Sequence, residues 1–153
     1  MKKLTTITLA LFLSLSVFSQ TSGVGIGVSL GSSADFTAKF WTGEKTAFAV
    51  AAGIDYAYYG GVHFSGDFLI HNWSFDIAED MMKVYFGPGV GVGIHPSYYN
   101  NISVSIRAPA GVGWYFHNIP LECFAEVVPT FYVAGPFGFD FSPGGYIGAR
   151  WYF

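Results

Sequence analysis

The residues able to do chemistry in this chain are few, and four of them cluster late in the sequence: Arg107, Glu122, Glu126 and Arg150. Carboxylates and guanidiniums in a stretch otherwise free of charge can relay protons or small ions, or they can neutralise one another where water is scarce. His63, Asp67 and His71 are spaced by four, which on a helix would bring them together. On a strand the same spacing puts successive members some ~13 Å apart, too far to share one metal. Cys123 is the only cysteine, so no disulfide can form within the chain, and with no base near it in sequence it reads as a small apolar residue. Gly87, Gly89, Gly91 and Gly93 alternate through a segment and do not form a phosphate-cradling loop ahead of a helix. A lipid hydrolase would need a nucleophile such as serine beside a histidine on a lipid-facing surface, and neither His95 nor His117 has one placed with it. We expect no enzyme, no metal and no cofactor.

What must position these residues is set by composition. The chain is 52% hydrophobic and 20% aromatic but only 11% charged, against about 25% charged in an ordinary globular protein. Much of it must face something other than water, yet no stretch after Phe18 supplies the ~20 consecutive apolar residues of a spanning helix. Instead, apolar residues recur at every second position in eight segments: 23–31, 35–41, 47–56, 62–73, 83–95, 102–116, 121–133 and 146–153. That period belongs to strands with two unlike faces.

One face is bulky and free of charge, as in Phe48, Val50, Ile54 or Val84, Phe86, Val90, Val92. The other is built largely of Gly, Ala and Ser and holds Lys39, Asp55, Asp67, Arg107, Glu122, Glu126 and Arg150, with His63, His71 and His95. An eight-stranded closed sheet has an interior just wide enough for side chains to fill, so the bulky set would overfill it and must point outward. An outward apolar band is stable only in lipid, and in lipid an open sheet edge would leave backbone groups unpaired at several kcal/mol each. The expected fold is therefore all-β, an eight-stranded antiparallel up-and-down transmembrane β-barrel. Arg107, Glu122, Glu126 and Arg150 then lie inward on three successive strands as a lumen ion-pair network that plugs the barrel and sets its register.

The N-terminus is read separately. Met1-Lys2-Lys3 followed by the apolar run from Leu4 to Phe18 has the form of a secretory signal peptide, with Val17 and Ser19 as small residues before a cut after Ser19. The expected organisation is signal peptide 1–19 and barrel 20–153, exported through the periplasm to a bacterial outer membrane. The formal net charge is −3 and no basic patch appears, which excludes nucleic acid as a partner. Trp41, Trp73, Trp114 and Trp151 fall near the ends of alternate segments, while Tyr56, Tyr58, Tyr59, Tyr98, Tyr99 and Tyr132 fall at the other level, as two interfacial girdles would. The alternation places Trp41 and Trp73 on the inward face. Pro88, Pro109 and Pro129 remove ladder donors, so bulges or kinks are expected there, above all at Gly87-Pro88-Gly89.

The last fifty or so residues resemble a family of small outer-membrane barrel proteins related in form to the OmpA and OmpX type. The resemblance is carried by Ile106-Arg107-Ala108-Pro109-Ala110-Gly111, Tyr115-Phe116, Pro120-Leu121-Glu122 with Glu126 and Pro129, Gly145, Gly148, Arg150 and the closing Trp151-Tyr152-Phe153. It implies fold and location without implying a reaction. It further implies that Trp151 and Phe153 form a C-terminal signal read by the barrel-assembly machinery, with outer-membrane lipid as the other partner and a monomer as the expected state. The function expected is a structural or interaction role with a filled polar lumen. The alternatives are a narrow, porin-like channel or carrier for a small molecule and, behind these, a lipid-modifying enzyme.

Overall fold

The computed structural model describes residues 23–57, 60–99 and 101–153. The expected signal peptide, Tyr58 and Tyr59 lie outside the described residues. Among those described, the chain is all-β, with ten strands in one antiparallel sheet: β1 Val24–Gly31, β2 Ser33–Trp41, β3 Thr46–Asp55, β4 Gly61–Ile77, β5 Asp80–Phe86, β6 Gly89–Ile94, β7 Ile102–Arg107, β8 Ala110–Tyr115, β9 Leu121–Ala134 and β10 Asp140–Tyr152.

Pairing runs through consecutive strands from β1 to β4; β4 then pairs both β5 and β6, β9 pairs both β7 and β8, and β10 pairs β9 and also β1. Ten strands stand where eight segments were expected because two segments are divided. Residues 87–88 separate β5 from β6, and residues 108–109 separate β7 from β8. Each break holds a proline, which has no N–H for the ladder, and the prolines serve as acceptors instead. Pro88 accepts from the Phe68 amide at 2.9 Å, Pro109 from Gly87 at 3.0 Å and Pro129 from Ala108 at 3.0 Å. Pro129 interrupts nothing, contrary to expectation: β9 runs through it, and it stands opposite Pro143 of β10. Pro88, Pro109, Pro129 and Pro143 thus form an oblique row over four adjacent strand lines.

The two faces separate as the alternation requires. Phe36 is 77% exposed and Ile147 66%, while Lys39 and Glu122 are fully buried and Arg150 is 3% exposed. Large rings fit on the buried face because glycines make room for them. A Cβ on Gly25 would come within 2.7 Å of the Tyr152 ring, and one on Gly111 within 2.8 Å of Tyr85.

One expected placement is corrected. Trp73 is 55% exposed and lies on the outer face, because the β4–β5 register shifts between His71 and Trp73. A bulge inserts one extra residue, here Asn72, and so inverts the alternation beyond it. Trp41 does face inward, packed beside Ala47, Ala49, Leu69 and Tyr85. The eighth segment also begins earlier than its pattern suggested, at Asp140.

Candidate functional site: a buried charge network and a polar cavity

The buried face is filled differently at its two ends. Toward the end that carries Gly23 and Phe153, Glu122 of β9 gathers four donors from three strands, β2, β8 and β10. Its Oε1 accepts from Lys39 Nζ (3.0 Å) and Tyr115 OH (3.0 Å), and its Oε2 from Tyr152 OH (2.6 Å) and Arg150 Nη1 (3.5 Å). Lys39 also donates to the Tyr115 oxygen at 2.7 Å. Arg150 spends its remaining donors on Thr37 Oγ1, from Nε at 3.2 Å and from Nη2 at 3.1 Å, and its guanidinium lies 3.8 Å from the centroid of the Phe124 ring. Rings close the space around these charges. The Trp41 indole is 4.8 Å from Lys39 Nζ and 4.7 Å from Lys83 Nζ, and 4.5 Å from the His71 ring. Each ion is thus paired, hydrogen-bonded or stacked, the condition under which buried charge is tolerated.

Toward the opposite end, where β1–β2, β3–β4, β6–β7 and β9–β10 connect, a polar cavity of about 50 Å³ opens between the strands. Ser33, Asp55, His63, Ser103, Arg107 and Tyr146 are among its lining residues. Arg107 Nε is 3.1 Å from Asp67 Oδ1, and His63 Nε2 is 3.4 Å from Asp35 Oδ1, neither with hydrogen-bond geometry. His95 sits at the rim: its Nδ1 donates to the Gly60 carbonyl at 2.7 Å, and its Nε2 is 2.9 Å from Ser103 Oγ. A space of this size admits a few waters or one small ion.

The four residues that the sequence singled out are therefore divided. Glu122 and Arg150 contact one another, and Arg107 turns to Asp67 instead. Glu126 accepts from Tyr85 OH at 2.8 Å. Glu126, Arg107 and Arg150 meet only across a void of about 10 Å³, room for about one water. His63, Asp67 and His71 go to three different partners, and among the described residues no group of three or more His, Cys, Asp or Glu could hold a metal. Neither ring nitrogen of His71 has a hydrogen-bond partner. Sequence reasoning placed Lys39 and Asp67 on the correct face without joining them to the charges, and it passed over Tyr85, Tyr115 and Tyr152. All three tyrosines occupy inward phases near inward glycines, which is the signal that could have found them.

Trp151 and Phe153 close the chain beside β1: Trp151 stands opposite Ile26, and the Phe153 amide donates to the Val24 carbonyl at 3.0 Å. Cys123 is half-buried on β9, between Trp114 and Ala149 of the neighbouring strands. His117 lies in the β8–β9 turn, where its amide donates to Asp80 Oδ1 at 2.9 Å.

No family model matches this chain, and searches of curated proteins and of solved structures found no match.

Proposed function

We propose that this chain is an integral protein of a bacterial outer membrane, a closed eight-stranded β-barrel in which β5 with β6 and β7 with β8 each count as one interrupted staple of the wall. Its interior is filled, and its role is structural or one of interaction rather than catalysis. The observation that carries the reading is the inversion of burial. Phe36, Val90, Ile106 and Ile147 are exposed while Lys39, Glu122 and Arg150 are buried. In water each exposed side chain of this size forgoes about 1.5–3 kcal/mol of transfer free energy, whereas among acyl tails the same arrangement is the stable one. The return of the pairing from β10 to β1 supports closure, since a sheet in hydrocarbon can leave no edge unpaired.

On this reading the Glu122 network with its rings blocks the lumen, and the cavity at the other end is a dead-end vestibule facing the cell exterior. The narrow channel is the less favoured alternative for that reason. Spin labels at Val90 and Val104 are expected to report lipid, and labels at Gly91 and Ser105 dry packing or confined water. Bulk water at Val90 and Val104 would overturn the reading. On gels of outer-membrane fractions the unboiled protein should migrate apart from the boiled one, and in a planar bilayer it should give no steady conductance.

A further inference from the structure

β4 does not end where its neighbour does. Its ladder with β3 stops at Ile70 opposite Thr46, with one more bond from the His71 amide to the Lys45 carbonyl at 2.7 Å. Beyond the bulge β4 continues to Ile77, paired with β5 on one side only: among the described residues no strand pairs with Trp73–Ile77 on the side where β3 lies. Every residue from Asn72 to Glu79 is exposed, including Ser74 and Asp76, which alternate with Trp73, Phe75 and Ile77. β4 therefore overruns its β3 neighbour by about five residues, some ~17 Å of strand, while β5 stays paired with β8 on its far side.

Two demands conflict on this edge. Trp73, Phe75 and Ile77 form an apolar row that water does not favour, yet a row of unpaired amides and carbonyls cannot enter hydrocarbon. An added strand satisfies both, since it supplies the missing backbone partners while its alternate side chains cover the apolar row. A second copy in the same membrane does not fit. Edge-to-edge antiparallel pairing of identical strands needs a two-fold axis perpendicular to the strand, whereas copies inserted the same way share an axis along the membrane normal, about 35–45° from the strand.

We infer that the free edge of β4 from Trp73 to Ile77 is a docking site for an extended segment of another polypeptide, one that alternates apolar with basic residues. The basic character follows from charge: Glu44, Asp76 and Glu79 are exposed around the edge against Lys45 alone. The inference uses the membrane reading to place this end of the molecule in water beyond the bilayer and to exclude a second copy as the occupant.

The test is amide hydrogen exchange on the full protein in phosphatidylcholine vesicles and, separately, in dodecylmaltoside micelles. The probe is a ten-residue peptide alternating Lys and Val. Exchange at those amides of Asn72–Ile77 that point away from β5 should be fast alone and slow roughly tenfold or more with peptide, a factor worth about 1.4 kcal/mol. Methylating the peptide amides of one register, but not of the other, should abolish the protection. Asp76→Lys, an exposed and structurally mild change, should lose protection by the Lys-Val peptide and regain it with a Glu-Val peptide. Slow exchange at these amides before any peptide is added, or equal protection by both methylated peptides, overturns the inference. A protein that stays out of the vesicles but shows the full effect in micelles overturns the membrane reading and leaves the docking edge standing.

Discussion

The two ends of the buried face obey one alternating pattern and reach opposite outcomes. At the end near Phe153 the inward positions hold Tyr85, Tyr115, Tyr152 and Trp41, and Gly111, Gly113 and Gly25 leave room beside the three tyrosine rings. At the other end the inward positions hold Ser33, Ser103, Ser105 and Ser142, whose hydroxyls are too short to meet across the same width. A carboxylate in the first region receives four donors, as Glu122 does. In the second, the Asp35 carboxylate receives two, from Ser29 and Ser33 on Oδ2, and its Oδ1 receives none. The difference teaches that alternation decides only which face a residue joins, while side-chain length decides whether that face becomes a plug or a wet space.

The contrast can be broken most directly at Glu122. Glu122→Ala leaves Lys39 and Arg150 buried without their carboxylate, and a broken buried pair costs about 3–5 kcal/mol. The loss should appear as a large drop in the urea midpoint of the refolded protein, and no measurable change would mean that the packed region is not held by its ions. Arg107→Ala is the matching change beside the cavity, where water can solvate the released Asp67, and a smaller loss of about 1–2 kcal/mol is expected. Equal losses at the two sites would erase the distinction between the regions.

The smallest effect sharpens the comparison at the outer margin of the packed end. Asp80 Oδ1 accepts from the His117 amide at 2.9 Å, and its Oδ2 accepts from the Trp114 indole at 2.9 Å. The His117 bond first, then the Trp114 bond, holds its carboxyl below the ordinary carboxylate range. The folded state thus favours the ionised form, so this contribution is complete above the unfolded carboxyl's pKa and fades as pH falls through the lower, folded value. The Trp114 indole N–H resonance should move in that acid range, and in Asp80→Asn it should stay flat. A resonance that already moves near neutrality would contradict the assignment.

Much of this architecture was legible because a two-residue period survives almost any tertiary context: the charge-bearing face could be read from Lys39, Arg107 and Arg150 alone. What was lost came from features that break the period. Asn72 carries no mark of a bulge, so Trp73, just beyond it, is read one step out of phase and turned inward, while the next segment, with Phe86 and Val90 outward, keeps its phase. Pro88 and Pro109 were visible as missing donors, but Pro129 looks the same in sequence and leaves its strand whole. Pairing among the charges was the least legible feature. Arg107 reaches Asp67 and Glu122 reaches Lys39 across sequence separations that no local pattern encodes.

The oblique row of Pro88, Pro109, Pro129 and Pro143 has a mechanical consequence. Cross-strand amides are the springs of a sheet, and here four neighbouring lines each lack one at the same place. The sheet should be stiffer along β1 to β3, where no proline stands, than along this diagonal. Under lateral compression it should crease there, with the gentle half flexing against the rigid one and the dense cluster around Glu122 acting as the pivot.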